Sequence, residues 1–293
     1  NRFLARFPDV AALDSAPLDE VLRLWSGLGY YSRARNLHGA AQEIVTVHGG
    51  RFPRRFEQVA SLPGIGRSTA AAICVFAYGA RHAILDGNVK RVLARYRGIK
   101  GYPGDKAVAD RLWQAAEKLL PRRGIEAYTQ GLMDLGATVC ARGKPRCVEC
   151  PAHGDCVAVK RGWVPKLPGL RSRKPLPHRR TVMLVLTRAG EVLLEKRPVA
   201  GIWGGMWCLP EAAKKTDLEA YCLKRFGTHV TEVEKLETIA HGFTHFSLDI
   251  LPLRVKVSAL VPQAAEPGVV WLPFEEARGA AIPAPVRKIL AAL

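Results

Sequence analysis

The feature that most constrains this chain is a change of hydrophobic period across a basic segment. Between residues 160 and 180 the sequence carries Lys160, Arg161, Lys166, Arg171, Arg173, Lys174, Arg179 and Arg180 among prolines and glycines, with no acidic residue. Such a stretch cannot build a core and reads as an extended linker, either a solvated tether or a strap along phosphates. Before it, apolar residues recur at helical spacing: Leu18, Val21, Leu22 and Trp25 stack on one face between Pro17 and Gly27. Similar patterns follow Tyr31, Arg67, Asn88, Asp105 and Ile125, with glycines where helices should stop. After Thr181 the period shortens to β-rich runs at 181–186, 192–195, 248–257 and 269–272, with helical pattern at 218–226 and 285–293. The expectation is a helical half followed by an α+β half, without internal repeats.

A length of 293 residues suits two domains. Lys and Arg number 44 against 26 Asp and Glu, a formal charge of +18. That surplus attracts a polyanion, and nucleic acid is the commonest one in a cell. No apolar run approaches the roughly 18 residues of a membrane span, and no leader pattern precedes a cleavage site. A soluble cytoplasmic chain with no membrane partner is the expectation.

Four of seven cysteines, Cys140, Cys147, Cys150 and Cys156, fall in the spacing C-x6-C-x2-C-x5-C. Four thiolates this close can wrap one soft metal centre, with Arg142, Lys144 and Arg146 offsetting their charge. The spacing alone admits structural zinc as readily as iron and sulfide.

Upstream, Leu62-Pro63-Gly64-Ile65-Gly66 precedes a helical pattern. Glycines one residue apart let backbone N–H groups face outward at a helix start, where the dipole favours a phosphate, although an ordinary tight turn has the same letters. Twenty residues on, Asp86 stands at the mouth of a further helix, with Asn88 behind it. An aspartate there caps a helix in the plainest reading. Near the start, Gly27-Leu28-Gly29-Tyr30-Tyr31-Ser32-Arg33-Ala34-Arg35-Asn36 sets aromatics beside arginines. That suits stacking on bases and pairing with phosphates, or simple helix packing.

Taken in order, the hairpin string, the aspartate and the four-cysteine loop resemble the helix-hairpin-helix superfamily of base-excision glycosylases. The whole chain is similar to its MutY branch. The resemblance implies an all-α glycosylase domain over residues 1–139 that lacks its first helices. It also implies a 4Fe-4S loop at 140–159, a basic linker at 160–180, and an α+β Nudix-like, MutT-like domain at 181–293. In this family the aspartate, here Asp86, stabilises the positive charge that develops on the sugar as the N-glycosidic bond breaks, with Asn88 positioning it or the water. Endonuclease III-like members carry a lysine nucleophile two residues after the second hairpin glycine; here that residue is Ser68, which cannot form an imine. A monofunctional adenine glycosylase follows, binding duplex DNA through Leu62, Gly64, Gly66 and Tyr30, acting as a monomer on nucleoid DNA. A lyase and a non-catalytic DNA-binding protein are the alternatives.

By the same resemblance, Tyr30 wedges beside 8-oxoguanine and the loop Phe243-Thr244-His245 reads it, with Thr244 where the family usually has serine. The run 192–207 looks like the MutT-like domain, but the R-E-x-x-E-E metal box of a Nudix hydrolase is missing; Glu211 is present, and Lys224-Arg225 stands where acidity is expected. The family's general acid is a glutamate in a Ser-Glu-Val-Met string that this sequence does not contain. Glu20 and Glu43 match other segments. The chain therefore reads as N-terminally truncated and impaired in adenine release.

Overall fold

A computed structural model describes residues 2–171, 175–213, 215–258 and 267–293. Four helices come first: α1 (Arg2–Arg6), α2 (Val10–Asp14), α3 (Leu18–Trp25) and α4 (Tyr31–His48). Six more follow: α5 (Phe56–Ser61), α6 (Arg67–Tyr78), α7 (Gly87–Tyr96), α8 (Lys106–Lys118), α9 (Ile125–Asp134) and α10 (Val157–Lys160). A π-helical turn, Leu135–Val139, extends α9. The remainder holds β1 (His178–Arg188), β2 (Glu191–Lys196), β3 (Trp207–Cys208), β4 (Glu211–Ala212), α11 (Leu218–Phe226), β5 (Val230–Lys235), β6 (Ile239–Gly242), β7 (Ser247–Val257), β8 (Val269–Pro273), α12 (Phe274–Gly279) and α13 (Ala284–Ala291). A helical part followed by a mixed α+β part is thus the architecture.

The compact units do not follow the sequence boundaries at 139, 159 and 180. Asn1–Gly50 packs with Pro175–Leu293, and Arg51–Lys174 forms the other unit. The reason lies in α3 and α4: their apolar faces carry the right period for a helix, but a period does not say which partner fills the facing groove.

In the first unit the sheet runs β3-β2-β1-β7-β5, with β4 on β1, β6 on β7 and β8 on β2. β1 lies parallel to β7 from His178 opposite Ser247 to Thr187 opposite Lys256. Val182 to Thr187 are all buried, because strand alternation sends successive side chains to two covered faces. Met183 and Val185 point to a core shared with Phe7, Leu13, Val21, Leu22 and Ala34. Val182, Leu184 and Leu186 point to the core under Cys222 and Phe226 of α11. Polar ties reinforce the first face. The Asp19 carboxylate accepts from Lys196 and, at 3.3 Å, from the Trp207 indole, and Ser26 Oγ donates to the Ile282 carbonyl at 3.0 Å.

The second unit is built on Leu85, Val89, Leu93, Leu112 and Ala116. Residues 161–169 are not an extended tether. Trp163 N donates to Ala158 O at 2.7 Å, Leu167 is buried, and Gly169 N donates to Gly101 O at 3.1 Å. A Cβ on Gly169 would meet that carbonyl oxygen at 2.6 Å. A few apolar residues and one glycine dock this stretch despite its charge.

Candidate functional site

The hairpin of the second unit turns at Gly64, whose φ of 76° is a left-handed conformation that favours glycine. Gly66 then starts α6 without a side-chain cap, so nothing covers the first-turn N–H groups from that position. Gly64 and Gly66 are exposed, whereas Leu62 is buried, its N–H donating to Val59 O at 3.3 Å and its carbonyl accepting from Ile65 N at 3.0 Å.

Two hydrogen bonds place Asp86. Leu85 N donates to Ser68 Oγ at 3.0 Å, pinning the residue before the aspartate to the first turn of α6. Val89 N donates to Asp86 Oδ1 at 2.7 Å, so Asp86 is the N-cap of α7. The cap engages one carboxylate oxygen and leaves the half-buried group able to face a developing charge with the other. Asn88 Oδ1 accepts from Arg91 at 3.0 Å, and Arg91 also donates to Gly136 O at 2.5 Å and Cys140 O at 2.8 Å. Gly136 lets the π-helical turn approach: a Cβ there would lie 2.7 Å from Asn88 Cβ and 3.1 Å from its carbonyl oxygen. Gly136→Ala is expected to destabilise the chain by about 1–3 kcal/mol, as overpacking does, and to displace Asn88; urea unfolding checks the first and base release the second.

The four cysteines line one cavity of about 220 Å³, walled otherwise by Arg95, His153 and mostly apolar side chains of α7, α9 and the loop. They are free thiols, each half-buried. Among the described residues, no three His, Cys, Asp or Glu side chains are drawn together closely enough to hold a lone ion. Burial pushes the Cys147 thiol up, helped by Cys140, Cys156 and Cys150 and opposed by Arg95. Arg95 is the residue that sequence reasoning missed. It is buried on α7, donates from Nη1 to Cys140 Sγ at 3.3 Å and Ala141 O at 2.9 Å, and from Nε to Leu167 O at 2.9 Å. Of the cations expected beside the cluster, Arg142 and Lys144 are exposed, and Arg146 pairs with Glu149 at 2.7 Å. An arginine inside the otherwise apolar stripe Val89, Val92, Leu93 was the available signal.

A second cavity, of about 470 Å³, lies within the first unit. Tyr30, Tyr31 and Arg35 line it together with Trp203, His241, Phe243, Thr244 and His245. Tyr30 is exposed and takes a left-handed backbone, φ 48°, between Gly29 and α4. Such a conformation costs about 1–3 kcal/mol for a non-glycine residue and occurs where a side chain must be aimed. Arg35 donates to Gly204 O at 2.8 Å, joining α4 to the 201–205 turn. Phe243 stacks on Phe246 at 4.4 Å and meets His241 edge-on at 4.7 Å. Burial lowers the His241 pKa from its ordinary value, favouring the neutral ring.

Two carboxylates that face α11 and the β2–β3 region are held by arginines. Arg197 pairs with Glu211 at 2.7 Å and Arg225 with Glu195 at 2.9 Å. Glu20 is held by Arg6 at 2.7 Å.

Residues 1–118 match the family described as HhH-GPD superfamily base excision DNA repair protein, and residues 181–292 match the NUDIX domain. Over 292 residues the chain is 35% identical to the adenine DNA glycosylase of Buchnera aphidicola subsp. Acyrthosiphon pisum (strain APS), spanning 99% of this chain and 83% of that one. The Homo sapiens adenine DNA glycosylase is 31% identical over 342 residues, 98% of this chain and 63% of its own length. Among solved structures, a thermostable thymine-DNA glycosylase superposes with a TM-score of 0.50 at 31% identity, covering 55% of this chain and 74% of that one.

Proposed function

Because the chain belongs to the adenine DNA glycosylase family of base-excision repair enzymes, we propose that its substrate is duplex DNA carrying adenine opposite 8-oxoguanine or guanine. One observation carries the reading. Tyr30 and the loop Phe243-Thr244-His245, more than 200 residues apart in sequence, line one cavity large enough for a base. Aromatic faces and hydroxyl and imidazole hydrogen-bonding groups suit a modified purine kept in place while its adenine partner is extruded. The proposal assigns glycosylase chemistry to 1–139, the cysteine loop to 140–159, a basic connection to 160–180 and lesion reading to 181–293.

In the extruded adenosine the C–N bond breaks with positive charge building on the sugar. Asp86 stabilises that charge, Asn88 positions Asp86 or the attacking water, and the hairpin that starts at Leu62 meets the DNA with the exposed Gly64 and Gly66, whose backbone N–H groups face a phosphate. Ser68 holds the Leu85 amide and provides no amine, so the product is an abasic site in an unbroken strand.

Cys140, Cys147, Cys150 and Cys156 would hold a 4Fe-4S cluster. Four cysteines suit a soft metal centre; these four line one cavity of about 220 Å³, and Arg95 offsets thiolate charge. When bound, the cluster supplies a rigid anchor for the loop and performs no hydrolysis. No helix among the described residues is long and apolar enough to cross a membrane; the proposed setting is cytoplasmic, nucleoid DNA, engaged as a monomer.

The test is base release from A:8-oxoguanine, A:G and A:C duplexes, read as strand breaks with and without hot alkali. Release at the first two, with breaks only after alkali and no trapping by borohydride, is expected. Equal release from all three, or breaks without alkali, would overturn the reading. Tyr30→Ala or Phe243→Ala is expected to lower the preference for 8-oxoguanine over guanine by up to about tenfold, the worth of one aromatic contact.

A further inference from the structure

The hairpin joins the end of α5 to the start of α6, and the segment that enters α5 meets the end of α6, about 18 Å along that helix from the hairpin. Several contacts assemble that far end. Phe56 stacks on His82 at 4.5 Å, and Arg54 lies over the Tyr78 ring at 5.5 Å. Arg81 donates to Leu120 O at 2.8 Å and Pro121 O at 3.0 Å, which brings the α8–α9 loop alongside. Three separate segments thereby contribute Arg51, Arg54, Arg55, Arg81, Arg122 and Arg123, all exposed. Glu57 and Glu126 are the acidic residues of the neighbouring helix starts. Among the described residues, the ion pairs of this unit join Arg67 to Glu117, Lys106 to Asp110 and Arg146 to Glu149. None of the six guanidiniums has a carboxylate partner there.

A solvated basic face is usually lysine-rich and scattered. Here the cations are all arginines, whose planar forks match phosphate oxygens, and a two-bond tie from Arg81 pins one contributing loop to another. The polyanion always within reach of a DNA glycosylase is more of the same DNA. We propose that this far end is a second DNA-binding surface, which holds the phosphate backbone of a duplex segment other than the one engaged for repair and so passes the enzyme between segments. The proposal rests on the hairpin end being the face that holds the substrate duplex.

The experiment measures dissociation of the full chain from a short labelled duplex chased with rising concentrations of unlabelled, undamaged duplex. Direct transfer makes the dissociation rate climb with chase concentration. Arg54→Gln, Arg55→Gln, Arg122→Gln and Arg123→Gln together should flatten that slope at least fivefold. A control with the same charge loss at exposed Lys106, Lys215, Lys224 and Lys288 should keep it. The loop pair Arg122→Gln, Arg123→Gln alone should give an intermediate slope, which guards against misfolding of the larger variant. The log-log salt dependence of second-duplex binding should become shallower by about 0.9 for each phosphate that the variant no longer neutralises. Equal slopes in patch variant and wild type, or equal loss in the control, would overturn the proposal. Base release from A:8-oxoguanine in a short duplex is scored separately, so failure of the substrate assignment leaves a distinct signature: transfer intact, release absent.

Discussion

Asp86→Asn is expected to cut single-turnover base release by about a hundredfold to a thousandfold while duplex affinity stays within a few fold of wild type. The amide oxygen of asparagine can still accept from Val89 N, so the α7 cap survives, and Asn and Asp are equivalent caps to within a few tenths of a kcal/mol. What disappears is the negative charge beside the sugar, and removal of one such electrostatic contribution costs about that factor in rate. Asp86→Ala should lose the same rate and about 1 kcal/mol of stability in addition. An Asp86→Asn chain with undiminished release would leave Asp86 as a helix cap and no more.

Arg95→Met is expected to be the most damaging single change in the second unit, costing about 3 kcal/mol or more by thermal or urea unfolding. The buried guanidinium satisfies the carbonyls of Leu167 and Ala141 and faces Cys140 Sγ. Truncation would leave buried acceptors without donors, each charged hydrogen bond being worth about 1.5–3 kcal/mol. Iron content of the purified protein should fall with it, because the thiolates lose their nearest buried cation. Arg95→Lys should rescue only part of both, since an ammonium cannot reproduce bonds that diverge from a planar fork. Iron content and stability equal to wild type in Arg95→Met would refute this account of the loop.

Much of the fold is legible because period and punctuation agree with packing. The 218–226 pattern is α11, and the runs at 192–195 and 248–257 lie within β2 and β7. β5 was not visible: its residues are nearly all exposed at the edge of the sheet, so no apolar face is inscribed in them. Residues 161–169 were masked by their charge, since Trp163, Leu167 and Gly169 dock without any period. For the site, Asp86 at a helix mouth and the cysteine spacing are local signals, readable in one dimension. The cavity shared by Tyr30 and Phe243 is not: nothing local relates residues so distant, and only the family resemblance linked them. Arg95 fell between the two, a single charge in an apolar stripe whose partner carbonyls are set by the tertiary fold.

The discontinuous packing of the first unit has a consequence for synthesis. Phe7, Val21, Leu22 and Ala34 bury themselves against residues of β1, β2 and α13, which leave the ribosome more than a hundred residues later. At about 5–20 residues per second the amino-terminal helices wait on the order of ten seconds for those partners. During that interval the second unit, contiguous in sequence, can close on itself, while the first presents an amphipathic surface that a nascent-chain chaperone would recognise. Folding during synthesis therefore starts with the second unit, and Phe7, Val21, Leu22 and Ala34 find their place only once β1, β2 and α13 have emerged.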